Sequence, residues 1–265
     1  MKLFICSDIE GTTGINHWDE TDKLKPDYEP FAVQMTREVK AACEGAIEAG
    51  FNQITVKDAH DSARNIDFSQ LPENVITIRG WANNPLSMMA GMDKEFDACI
   101  FTGFHGGAHS NGNPLAHTMN SDISSFTING IHISELHLNA YTAAYYGVPL
   151  ICVTGDTEVC EEARKLNPNI KIVPVLDGIG DASKSIHPNL AVERIKTTVS
   201  AALKEDLGNY TITLPERFEV EIGFRRHHLA YRASHYPGVE RIGTRTVKFE
   251  TDDFYEVLRT FYFIH

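Results

Sequence analysis

Apolar positions along this chain fall into short runs separated by stretches of helical period. Leu3–Ser7 suits a buried strand. Phe31–Ala49 sets Met35, Val39, Ala42, Ala46 and Ile47 on one stripe and stops at Gly50, the pattern of an amphipathic helix. Strand-like runs return at Gln53–Lys57, Val75–Ile78 and Ala98–Thr102, with a helix predicted over Pro85–Met92. This rhythm predicts an α/β fold with a mostly parallel central sheet flanked by helices. It breaks at Ser125–Ser134, where Asn129-Gly130 sits between alternating apolar residues and predicts a β-hairpin insertion. Helices at Glu135–Tyr146, Asp156–Leu166 and Leu190–Leu203 then alternate with strands at Leu150–Thr154 and Ile170–Val175. Beyond Pro215 come a strand at Phe218–Gly223, a helix around His227–His235, a strand at Thr244–Glu250 and a last helix from Asp253. The expected organisation is a catalytic α/β domain over 1–214, with a smaller α+β lobe over 215–265 packed on it.

Composition narrows the function. The chain has 265 residues, enough for a sizeable core, and a formal net charge of −12. No stripe of Lys or Arg interrupts that acidity, so nucleic acid is not an expected partner. No apolar run approaches the roughly 20 residues that span a bilayer, so no membrane partner is expected either. Cys6, Cys43, Cys99, Cys152 and Cys160 are scattered without a CxxC pair, which suggests reduced, buried thiols in a cytoplasmic protein. The chain enters its first strand at Lys2, and no leader is expected ahead of it.

The chemistry lies at the strand ends. The first strand runs into Asp8-x-Glu10, the second into Asp58-x-His60, and the fourth into Gly103-Phe104-His105. Open α/β sheets bind ligands beyond the carboxyl ends of their strands. Residues two apart on a strand share a face, so Asp8 can converge with Glu10, and Asp58 with His60. Carboxylates gathered at the mouth of a core repel one another and lose hydration, and a divalent cation removes both costs. Imidazole and carboxylate donors without thiolate suit Zn²⁺ or Mn²⁺ in a catalytic site. His117 lies in a polar loop, Asn113–Asp122, just before the hairpin. Glu135 opens the following helix, where it either favours the helix dipole or reaches the cluster. Asp58 either orients His60 or forms a turn at the strand end. Each residue alone has a plain structural reading; their joint placement is the signal.

These residues carry a resemblance. SDIEGTTG at Ser7–Gly14, KDAH at Lys57–His60, GFHG at Gly103–Gly106, AHTM at Ala116–Met119, SELHLNA at Ser134–Ala140 and TGD at Thr154–Asp156 together resemble the zinc-dependent D-aminopeptidases of bacterial dipeptide-transport operons. The resemblance covers most of the chain. It implies two Zn²⁺ per chain, with Asp8 bridging, Glu10 and His60 completing one shell, and His105 and Glu135 the other. His117 matches the catalytic position. The implied reaction releases an N-terminal D-amino acid, such as D-alanine, from short peptides. The implied assembly is a ring-shaped homo-oligomer, a decamer. Thr12-Thr13, the extra imidazoles His109 and His137, and the glycine-rich Gly106-Gly107 depart from the family pattern without touching the ligand set; they bear on substrate preference. Two other classes stay open. One is a different dinuclear amidohydrolase or phosphoesterase, though no glycine-rich phosphate loop followed by Lys-Ser/Thr is present. The other is a non-catalytic, metal-stabilised binding protein.

Overall fold

Leu3, Phe4, Ile5 and Cys6 are wholly buried, which puts strand β1 (Lys2–Ser7) in the interior of a sheet. The computed structural model describes all 265 residues. Parallel strands β2 (Gln53–Asp58) and β3 (Val75–Ile78) lie on one side of β1. On the other side lie β4 (Ala98–Phe104), β7 (Leu150–Asp156) and β8 (Lys171–Ile179), also parallel. The order β3-β2-β1-β4-β7-β8-β9 reverses direction between β1 and β4. That reversal opens a crevice at the carboxyl ends of the two strands, the usual ligand position in such sheets. Helices α1 (Tyr28–Glu48) and α4 (Pro188–Ala202) pack together on one face, and α2 (Glu135–Tyr145) and α3 (Thr157–Leu166) on the other.

The hairpin and the C-terminal segment form one structure. Strands β5 (Ile123–Ile128) and β6 (Ile131–His132) join β10 (Phe218–Phe224), β11 (Glu240–Arg241) and β12 (Thr246–Thr251) in an antiparallel sheet of order β11-β12-β10-β5-β6. Asn129 and Gly130 both have positive φ, 53° and 76°, as a type I′ turn requires. The second sheet therefore draws strands from both sides of residue 215. Its apolar face, with Phe126, Val220 and Ile222, joins the same continuous core as Phe4, Ile100 and Val153 of the large sheet. Helix α5 (His227–Ala233) packs near β10, and α6 (Phe254–Ile264) reaches both α2 and β5, with Phe126 and Phe261 ring centroids 4.8 Å apart.

Three expectations shift. The helix predicted over Pro85–Met92 is a single 3-10 turn, Ser87–Met89, because Ser87 and Gly91 adopt φ of 47° and 96° and break the helical path. Helix α1 begins earlier, at Tyr28, since Pro30 falls in the first turn, where no N–H is needed. Strand β8 extends to Ile179 and turns back into β9 (Ala182–Ser185), an antiparallel edge whose small polar residues carry no strand signature.

The glycines beside the crevice answer to the backbone. Gly11 donates its N–H to the Gly103 carbonyl at 2.8 Å, and a Cβ there would fall 1.8 Å from the Phe104 oxygen. Gly103 has φ +70°, and a Cβ there would fall 2.2 Å from the Asp8 carbonyl oxygen. The turn after β1 and the end of β4 thus press together main chain to main chain. Gly11→Ala must separate them, and is expected to cost about 1–3 kcal/mol or more, read as a lower urea midpoint. An unchanged midpoint would show that this contact gives way freely.

Candidate metal centre

Three strand ends and one helix start meet in the crevice. Asp8 follows β1 and is held by its N–H on the Thr102 carbonyl at 2.9 Å. Glu10 lies two residues on, His60 two past β2, and His105 directly after β4. Glu135 is the first residue of α2, and His117 comes from the loop between β4 and β5. All five expected ligands are buried; His117 stands at the mouth, its side chain 13% exposed.

Each imidazole is fixed in one tautomer. His60 Nε2 lies 2.9 Å from the Thr21 carbonyl, His105 Nδ1 2.9 Å from the Gly106 carbonyl, and His117 Nδ1 2.9 Å from the Leu115 carbonyl. A carbonyl only accepts, so these nitrogens carry the proton and the other nitrogen of each ring is turned inward. His60 Nδ1 faces Asp8 Oδ1 at 3.4 Å and Glu10 Oε2 at 3.1 Å. His105 Nε2 faces Asp8 Oδ2 and Glu135 Oε2, each at 3.4 Å. His117 Nε2 lies 3.6 Å from Glu135 Oε1 and 4.0 Å from Glu10 Oε1. His105 and His117 stack, centroids 4.4 Å apart, and Trp18 meets His117 edge-on at 5.2 Å.

Asp8 is the shared member. One of its oxygens belongs with Glu10 and His60, the other with His105 and Glu135, and in each triad the donor atoms lie within 4.8 Å of one another. A third grouping links Glu10, His105 and His117, so His117 can also serve as a ligand. Glu10 Oε2 and His105 Nε2 are buried without a hydrogen-bond partner despite their short contacts. Lone pairs facing lone pairs at such distances require a cation or a proton between them. Without metal, protons fill the role. Burial disfavours charge on His60 and His105, but Glu10 and Asp8 beside the first, and Glu135 and Asp8 beside the second, hold both imidazoles well above their ordinary range. Burial likewise opposes charge on Asp8, and the two imidazoles outweigh it, keeping its carboxyl well below the usual range. The donor set fits two divalent cations sharing one carboxylate.

Asp58 does not touch the His60 ring. Its carboxylate accepts from the Asn65 side chain at 2.8 Å and the Ile66 N–H at 2.8 Å, while Asn65 also donates to the His60 carbonyl at 2.7 Å. Asp58 shapes the turn, and the ring is oriented by Thr21 instead. Other supports lie outside the ligand set. Met119, at φ 64°, aims its N–H at Glu135 Oε1, 2.6 Å away, from a backbone conformation that costs a non-glycine residue about 1 kcal/mol or more. Asp156 caps α3 and accepts the Gly106 N–H at 2.7 Å, steadying the turn after His105. Asn113 donates to the Glu10 carbonyl at 3.0 Å. Glu38 of α1 accepts the Thr13 N–H at 3.1 Å.

The cluster forms the floor of a cleft of about 1020 Å³. Trp18, Asp22, Trp81, Arg225, Tyr262 and His265 are among the residues that line it.

The profile of the peptidase family described as D-aminopeptidase matches residues 1–263. The chain belongs to this family. It is 32% identical to a D-aminopeptidase of Bacillus subtilis (strain 168) over 258 residues, 97% of this chain and 93% of the relative. The solved structure of the Zn-dependent D-aminopeptidase DppA from Bacillus subtilis, a self-compartmentalizing protease, superposes with a TM-score of 0.92 at 30% identity, covering 100% of this chain and 96% of that one. The α/β fold and the metallopeptidase class follow from the same matches. All five cysteines of this D-aminopeptidase family member are free and buried, and no helix is long and apolar enough to cross a membrane.

The cluster implies a pH signature. His60 and His105 have folded values above the ordinary 6.5, so the stability they lend the metal-free fold is complete below that value and is lost as pH rises through the raised ones. Deprotonated imidazoles also bind metal better. The difference in Tm between metal-loaded and metal-stripped protein is therefore expected to widen as pH rises above 6.5. A difference that shrinks over that range would contradict the arrangement.

Proposed function

We propose that this chain is a dinuclear zinc aminopeptidase that removes an N-terminal D-amino acid, such as D-alanine, from short peptides. The observation that carries the reading is the sharing of Asp8 between two triads, Asp8-Glu10-His60 and Asp8-His105-Glu135, on the floor of one open cleft. In this reading Asp8 would be shared between two ions, with Glu10 and His60 holding one and His105 and Glu135 the other. Two zinc ions held there would supply Lewis acidity and a water of lowered pKa.

The chain's own residues do the rest. His60 and His105 are locked as donors to the Thr21 and Gly106 carbonyls, so their inward nitrogens keep a fixed direction. The Met119 N–H orients Glu135. His117 is the catalytic residue: its Nδ1–H is committed to the Leu115 carbonyl, so its Nε2 lone pair, at the cleft mouth, takes a proton from water and then, as N–H, passes it to the leaving amine or holds the developing oxyanion. Asp22 and Asp61 line the same cleft and offer negative charge to the substrate's free amino group, which favours an exopeptidase. Trp18 packs edge-on against the His117 ring. The family resemblance and the self-compartmentalizing relative support a ring-shaped homo-oligomer, a decamer. Five unpaired, buried cysteines suit the cytoplasm.

The test pairs metal counting with stereochemistry. Near two zincs per chain and chelator-sensitive release of D-alanine from D-Ala-D-Ala, with L-Ala-L-Ala left intact, is the expected result. Two metals with cleavage of L-peptides or of other amides would keep the centre and discard the substrate. No metal and no turnover would overturn the proposal. His117→Ala is expected to keep both metals and lose turnover by roughly 10²–10⁴-fold, the usual weight of a general acid or base. Loss of metal in that variant would make His117 a ligand first. Sedimentation equilibrium should give ten times the 29.6 kDa chain mass if the assembly is a decamer.

A further inference from the structure

A second cluster of metal-type side chains lies outside the centre just described and outside every motif of the family resemblance. Glu158 and Glu162 sit one turn apart on α3, so both carboxylates emerge on the same face. His109, from the loop after β4, faces them, with its Nε2 3.3 Å from Glu162 Oε1. One donor atom from each of the three lies within 4.8 Å of the others.

The surroundings are built around this point. Glu162 is buried, and its second oxygen is taken by the Ser134 hydroxyl at 2.9 Å, which leaves Oε1 turned toward His109. His137 Nδ1 accepts from Ser134 and lies 3.7 Å from the same carboxylate. His132 stacks on the His109 ring, centroids 4.4 Å apart and planes within 12°, and fixes its plane. Gly112 lets Glu158 lie across the loop: a Cβ there would fall 2.5 Å from the Glu158 Cβ. Neither carboxylate has a lysine or arginine within 4.0 Å. Like charges at i and i+4 destabilise a helix, and here only the His109 and His137 imidazoles, the Ser134 hydroxyl and, for Glu158, the start of α3 oppose them.

We propose that His109, Glu158 and Glu162 form a further divalent-cation site, distinct from the dinuclear centre. One imidazole and two carboxylates, with one side open to water, suit a borderline cation such as Zn²⁺ or Co²⁺. The His109 side chain is 21% exposed, so the ion enters directly from solvent. Bound there, it clamps the loop that follows His105 onto α3. Through Ser134 it also steadies the start of α2, the helix that carries Glu135. The site is structural, bracing the two elements that supply half of the catalytic cluster.

The test uses the full chain, stripped with chelator, reloaded with Zn²⁺ or Co²⁺ and desalted. Metal per chain is counted in the wild type, in Glu158→Gln and in His109→Ala. The expected result is one ion per chain fewer in each variant than in the wild type, with release of D-alanine retained. The Co²⁺ absorption of the wild type minus that of Glu158→Gln should be that of a single low-symmetry site. Equal metal content in the wild type and a folded Glu158→Gln protein would overturn the proposal. Because the readout is a difference of one ion, it holds whether or not the main centre carries two zincs, and failure of the D-peptide assay would leave it standing.

Discussion

The structure turns on one buried carboxylate. Asp8 is 2% exposed, and Glu10 and Glu135 are buried beside it. Charges so placed are costly unless each finds an opposite charge. The protein answers by turning the inward nitrogen of one imidazole, protonated when no metal is bound, toward each Asp8 oxygen, at 3.4 Å on both sides. That symmetry divides the cluster in two and gives it room for a pair of cations. Asp58, buried nearby, is the contrast: N–H donors from Asn65 and Ile66 satisfy it, so it needs no cation and takes no place in the cluster.

Holding the centre is a matter of backbone. The glycine contact between the turn after β1 and the end of β4 brings Asp8 and His105 together without a side chain between them. Carbonyls of Thr21, Gly106 and Leu115 select the tautomer of all three imidazoles. The strained Met119 points its N–H at Glu135. Strain at such a position persists only where the surroundings enforce it, and here the enforced direction places an N–H on a buried carboxylate of the cluster.

The two sheets divide the work. The large sheet delivers Asp8, Glu10, His60 and His105 from neighbouring strand ends at the point where strand order reverses. The second sheet anchors β5 and β6, and so fixes both ends of the path from the His117 loop to the start of α2. Arg225, Tyr262 and His265 bring the same part of the fold to the cleft wall. The parallel strand ends gather the metal-type side chains, and the second sheet and the C-terminal helix contribute to the cleft wall around them.

What the sequence alone determined is what repeats locally. Hydrophobic runs set the parallel strands, and the residues that end them, Asp8-x-Glu10, His60 and His105, were legible because position after a buried strand fixes position at the sheet edge. Asn129-Gly130 specified its own turn, since only certain residues accept two positive φ angles in succession. Tertiary structure alone decided the rest. The pairing of β5 with β10 joins residues about a hundred positions apart, and nothing local encodes it. The role of Asp58 depended on whether Asn65 or His60 came within reach. The tautomer of His60 depended on the Thr21 carbonyl, a main-chain group that every residue type offers equally. The gathering of His109, Glu158 and Glu162 needed α3 to face the loop after β4. Side-chain chemistry and period are written into the chain, whereas which distant backbone group meets which side chain is settled only by packing.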